Sequence, residues 1–235
     1  MDLYGQFLGA LRGRRRAGQD PTPADLAQSA ATVLDADAAA VTLVQPVVRL
    51  PIGATDDRAR LAEQVQATVG STPSLLAATS SAPVGVVEAE LAELWPLFHH
   101  ALTQRTDVRS VTSFALREAS GHVFAVLDLY SADPTWRPAG PLVPLQDSLM
   151  DLVAKILGVC IARRTSETWW PGDGSARRRQ VWVAVGMLCE AAQVGEDDAM
   201  AMLRAYAFAH DLLLDEVAAE LMAGRLVPDR IVQRA

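Results

Sequence analysis

Between Thr165 and Ser175 the chain carries Trp169, Trp170, Pro171, Gly172 and Gly174, a run that breaks any regular element. Before this break, stretches of helical spacing alternate with β-branched runs. After it, apolar residues recur only at helical spacing. A chain of 235 residues, half of them hydrophobic, can bury one ordinary core and a smaller second one. Two units are therefore expected, with a helical segment over 1–19, a first domain over 20–165, a linker over 166–175, a second domain over 176–226 and a tail over 227–235. The paired tryptophans of the linker are expected to dock on one of the domains.

In the first domain Asp25 to Leu34 places Leu26, Ala30, Val33 and Leu34 at helical spacing. Ala38 to Val44 and Arg49 to Ile52 read as strands around Pro46. A helix capped near Thr55 or Asp56 follows to Val69, with Leu61, Val65 and Val69 on one face. Gly70 to Pro83 is rich in Gly, Ser, Thr and Pro and reads as a loop with at most a short strand. Val84 to Val87 is a strand and Glu90 to Leu102 a helix. Val111 to Leu116 and Val123 to Tyr130 flank Ser120-Gly121 as an antiparallel hairpin. This mixture predicts an α+β fold.

Leu142 to Ile161 reads as one long helix in which Leu142, Leu145, Leu149, Leu152, Ile156 and Val159 keep alternating spacings of three and four, the rhythm of a coiled-coil seam. A second line runs through Met150, Val153, Leu157 and Cys160. One line packing on the sheet and the other on a partner helix predicts a homodimer; a single helix buried in a monomer is the alternative. Beyond the break, Arg177 to Val194, Glu196 to Ala209 and Leu214 to Ala223 form three helical segments, a unit too small for a roomy enzyme pocket.

A net charge of −7 excludes a protein that coats nucleic acid indiscriminately, because such binding is driven by phosphate neutralisation. No segment approaches the roughly 18 apolar residues needed to cross a bilayer, and the first sixteen residues lack a cleavage signature, so a cytoplasmic protein is expected. Cys160 and Cys189 lack metal or redox spacing and read as buried thiols. His99, His100, His122 and His210 are scattered, and no nucleophile-elbow, zinc-helix or phosphate-loop pattern occurs. A non-enzyme without metal or cofactor is expected.

The segments Val181 to Cys189, Glu196 to Ala207 and Leu213 to Ala218 resemble an ANTAR domain, with Ala184, Gly186, Ala199, Leu203, Arg204, Ala207, Val217 and Ala218 on the matching positions. That family carries lysine between its first Ala and Gly, where this chain has Val185. Leu50 to Ala54, Glu63 to Gln66, Gly70 to Ser74, Trp95 to Phe98 and Leu127 to Tyr130 are similar to the GAF domains that precede ANTAR domains in actinobacterial regulators. There the family often has Gly-Glu-Gly-Pro-Cys; Ser74 in the cysteine's place rules out thiol sensing at this loop. The resemblance implies an antiparallel sheet with flanking helices, dimerisation through terminal helices, and a small all-α domain that binds RNA hairpins of a leader transcript in transcription antitermination. An unidentified small-molecule ligand of the first domain stays open.

Hairpin loops are read by arginine contacts and by stacking on planar side chains. Arg204 lies at helical spacing with Ala201, Ala207 and Phe208, off the Leu203 stripe. Arg177, Arg178 and Arg179 sit at a helix start, where the helix dipole does not favour cations. The expected RNA surface comprises these four arginines with Ala184, Gly186, Ala207 and His210, the last weighed against a turn or capping role. From Ala176 onward seven arginines face nine acidic residues, so charge alone does not predict RNA binding. A DNA-binding module and a scaffold with a degenerate RNA surface remain as alternatives. Asp215, Glu216 and Glu220 on the third helix oppose the former.

Overall fold

The computed structural model describes residues 3–14, 20–44, 49–163 and 173–233, with the side chains of 173–178 left aside. Five strands form one antiparallel sheet in the order β2-β1-β5-β4-β3: β1 Ala38–Leu43, β2 Leu50–Ala54, β3 Val84–Val86, β4 Ser110–Arg117 and β5 Val123–Ser131. The expected hairpin is β4–β5, with Phe114 opposite Leu127. All six residues of β1 are buried, because helices cover both faces of the sheet.

Under one face lie α1 (Leu3–Arg14), α2 (Pro23–Leu34) and α8 (Asp151–Ala162). Their Phe7, Leu26 and Leu157 join Val41, Phe114 and Leu127 in the main core. The amino-terminal segment is thus part of the first domain's core rather than an appendage, since Phe7 is fully buried and Leu11 nearly so. β2 crosses α2 so closely that a Cβ on Gly53 would lie 2.5 Å from the Ala24 backbone nitrogen, which only glycine allows. The opposite face meets α3 (Asp57–Val69), α4 (Pro73–Ser80), α5 (Glu88–Leu94) and α6 (Pro96–Arg105).

Three sequence expectations change. Gly70 to Pro83 is mainly a helix: the Thr72 side chain accepts from the Leu75 amide at 3.3 Å and Pro73 occupies the first turn, so residues that resemble a loop are the cap of α4. The expected helix over 90–102 is two helices, because Pro96 keeps Trp95 out of helical geometry (φ −135°, ψ 59°). Leu142 to Ile161 is α7 (Leu142–Leu145), a π-turn (Gln146–Met150) and α8.

The π-turn rotates the seam. An inserted residue shifts the following helix by roughly 100°. Core contact passes from Leu145 and Leu149 to Met150, Val153, Leu157 and Cys160, leaving Leu142, Leu152 and Ile156 half-buried and Val159 48% exposed. The six expected seam residues do not form one outward stripe, and Leu145 and Leu149 are spent on the chain's own core.

Beyond the break lie α9 (Asp173–Ala192), α10 (Glu196–Ala209), α11 (Leu214–Met222) and α12 (Pro228–Val232). α9 begins inside the expected linker, while Trp169 and Trp170, expected to dock on one of the domains, lie outside the described residues. The expected tail carries α12, opened by Pro228 and anchored by buried Ile231 in the second core. The described second domain thus has four helices, not three. No helix among the described residues is long and apolar enough to cross a membrane.

Candidate functional site

The second domain is organised by the residues that carry its resemblance. Ala184, Leu188, Ala199, Leu203, Ala207, Val217 and Ala218 are all fully buried and pack together. Ala184 and Ala207, expected on the RNA surface, are therefore packing residues: their small side chains face neighbouring helices and cannot touch a nucleotide. Val185 is 1% exposed, so the position of the family's lysine lies inside this core. An unpaired ammonium there would cost several kcal/mol, roughly, whereas valine fills the space with apolar contact.

Gly186 and Arg179 are exposed, and the side chains of Arg177 and Arg178 lie outside the described set. His210 is the C-cap of α10: its Nδ1 is 2.8 Å from the Tyr206 carbonyl, and its exposed ring stacks on Tyr206 at 3.9 Å. Arg204 turns to the first domain. Its Nε donates to the Ala67 carbonyl in the last turn of α3 at 3.1 Å, and its guanidinium lies against Gly70.

Further contacts join the two domains at the same place. The Leu214 amide donates to the Thr68 hydroxyl at 3.0 Å. Arg105 of α6 donates to the Asp211 carbonyl at 3.0 Å and pairs with its carboxylate. Leu213 is buried in the first domain's α3–α6 core, and Ala67 in the second domain's core. Beside this junction lies a mainly apolar cavity of about 260 Å³ lined by Val65, Val69, Ala101, Phe208 and Leu212.

A second constellation sits between the sheet and α3 and α4, where sequence reading foresaw no polar site. Glu63 of α3 accepts hydrogen bonds from the Thr42 hydroxyl at 2.6 Å and the Tyr130 hydroxyl at 2.5 Å, and Gln66 donates to Tyr130 at 2.8 Å. Asp128 of β5 is fully buried and accepts from Ser74 at 2.7 Å and Ser113 at 2.5 Å. Arg49 donates to Ser74, with its guanidinium 3.9 Å from Asp128. Burial first, and the Glu63 carboxylate second, push Asp128 up to about 8 despite the opposing Arg49 charge. Burial also holds the Tyr130 phenol well above its ordinary value.

Arg49 Nε and Nη1 and Gln66 Oε1 are buried there without a hydrogen-bond partner among the described residues. Such atoms are costly unless something polar meets them. The readable signals were Asp128 inside an apolar strand and Glu63 with Gln66 three apart on the inward face of α3. Ser74, which closes the Gly70 to Ser74 segment, supplies a hydroxyl that donates to Asp128.

His99 lies 3.3 Å from Glu88. Cys160 is buried and Cys189 half-buried. Among the described residues no group of three His, Cys, Asp or Glu converges as a metal site would require.

No protein-family model matches this chain, and neither does any curated protein. Solved structures similar to it include GAF domains. The GAF domain from a Coxiella burnetii phosphoenolpyruvate-protein phosphotransferase is 13% identical, with a TM-score of 0.48 over 69% of this chain and 98% of that one. The GAF domain from an Acinetobacter phosphoenolpyruvate-protein phosphotransferase is 10% identical, with a TM-score of 0.46 over 68% of this chain and 94% of that one.

Proposed function

We propose that this chain is a signal-responsive regulator of transcription antitermination, whose first domain senses a small molecule and whose second domain, of ANTAR type, binds hairpin RNA. The reading is that of a cytoplasmic non-enzyme. One observation carries it: the matching apolar positions of the second domain close into a single helical core, while Arg179, Gly186 and His210 stay at its surface. Small helical units of this kind act by presenting a face to a partner. Arginine and stackable rings are what a hairpin loop engages.

The uncompensated Arg49 and Gln66 atoms beside Asp128 favour a polar ligand for the first domain. Two copies would pair through the outward side of α8, at Ile156 and Val159, rather than through the whole expected seam. A DNA-binding role is disfavoured because the polar side of α11 carries exposed Glu216 and half-buried Glu220, with Glu216 capping the helix at the Leu213 amide, while Asp215 is buried. A scaffold with a degenerate RNA surface is the second reading, favoured by the engagement of Arg204 with Ala67.

Capture of cellular RNA by the purified full-length protein, followed by sequencing, tests the proposal. Leader transcripts with stem–loops should be enriched, and an Arg179→Ala, Arg204→Ala double variant should lose most of that enrichment. Equal recovery of unstructured RNA by both proteins would favour the scaffold reading.

A further inference from the structure

Resting on the RNA-binding reading, we propose that the last turn of α3 is a built-in competitor of RNA for Arg204, making the joined arrangement of the domains an autoinhibited state. The argument begins with what Arg204 does. A guanidinium is suited to a phosphate or a base edge, yet here it caps the carbonyl end of α3 through Ala67. The carbonyl end of a helix carries partial negative charge, so the contact imitates the electrostatics of an RNA backbone. The fit is specific, since Gly70 has φ +82° and a Cβ placed on it would come within 3.1 Å of the Arg204 guanidinium carbon.

The rest of the junction combines the Leu214 amide on Thr68 and the exposed pairing of Arg105 with Asp211 with apolar packing of Leu213 beside α3, of Ala67 in the second core, and of α9 along β2. Its polar contacts are the part that single substitutions can loosen. On α3, Glu63, one turn before Ala67, and Gln66, directly before it, bind Tyr130. A change at the buried polar cluster therefore reaches the clasp along a single rigid element.

Two variants of the full chain test this. Gly70→Ala adds a Cβ under the guanidinium and strains a positive φ. Asp211→Gly removes the carboxylate partner of Arg105 while suiting the positive φ of 53° at that position, so it opens the junction without threatening the fold. Hydrogen exchange at the Leu214 amide reports opening, and titration with a stem–loop RNA pool of randomised loop sequence reports binding.

Both variants should expose that amide and bind the pool at least about tenfold more tightly than the native chain, because a binder populated only in part pays for its closed fraction. Adding Arg204→Ala to either should remove the gain. An exposed amide with unchanged, measurable affinity would overturn the clasp and leave the RNA reading standing. Absence of RNA binding in every protein would overturn both, and an amide still protected in both variants would overturn the clasp.

Discussion

An Asp128→Asn protein loses most of the pH dependence of folding that the native chain shows between about pH 5 and about pH 8. Asp128 ionises near its ordinary value of 3.8 when the chain is unfolded and at about 8 when it is folded. Between those values the folded state holds a proton that the unfolded state has released. Stability is therefore fully present below the lower value and is lost as pH rises through the upper one. At about 1.36 kcal/mol per pH unit, the roughly three units from pH 5 to pH 8 set a ceiling of about 4 kcal/mol on the loss within that window, reduced by whatever relaxation Glu63, Arg49, Ser74 and Ser113 allow around the carboxylate. Asparagine cannot ionise, and its side chain can still meet Ser113 and Ser74. Urea unfolding at three pH values should show native stability falling as pH rises, while the variant stays nearly flat and is the more stable protein at the alkaline end. Parallel curves would mean that the Asp128 carboxyl is not held neutral inside the sheet–helix layer.

Leu203→Ala should cost about 3 kcal/mol, the usual range for emptying a fully buried leucine site. Leu203 is fully buried among α9, α10 and α11. A unit of this size has little stability to spare, so the loss is large enough to melt it. Hydrogen exchange should show the amides of α9 to α12 losing protection while those of β4 and β5 keep it, and RNA capture should fall with the former. Unchanged exchange in α9 to α12 would contradict the placement of Leu203. Loss of protection throughout the chain would mean that Ala67 and Leu213 bind the two cores into one cooperative unit.

Sequence reading located the elements whose pattern is local. β1, β4 and β5 are apolar or β-branched runs, the hairpin turn is marked by Gly121, and α10 and α11 follow their apolar stripes. It missed α4 because Thr72 and Pro73 are at once loop-like residues and good helix openers. It missed the π-turn because a heptad pattern in sequence does not reveal the single insertion that turns Leu152, Ile156 and Val159 away from the line of Leu145 and Leu149. It also extended a surface role to Ala184 and Ala207, since conformity to a motif does not distinguish a residue that builds the fold from one that touches a partner.

The buried polar cluster was legible only in fragments. Glu63 and Tyr130 are 67 residues apart, and nothing local announces that they meet. Arg204 and Ala67 are 137 apart, so the covering of the strongest candidate RNA contact belongs to the packing of two domains and not to any segment. Conversely, the place of Arg204 off the Leu203 stripe was legible from helical spacing alone. The structure adds which group holds it.

The most direct measurement is a salt titration of the full-length protein against a labelled stem–loop RNA pool, followed by fluorescence anisotropy. The account predicts saturable binding that weakens steadily as salt rises, with the slope of affinity against salt reduced by about one when Arg179 is replaced by alanine. A folded protein that shows no saturable binding at low salt, with the native chain and with the Asp211→Gly variant alike, would contradict it.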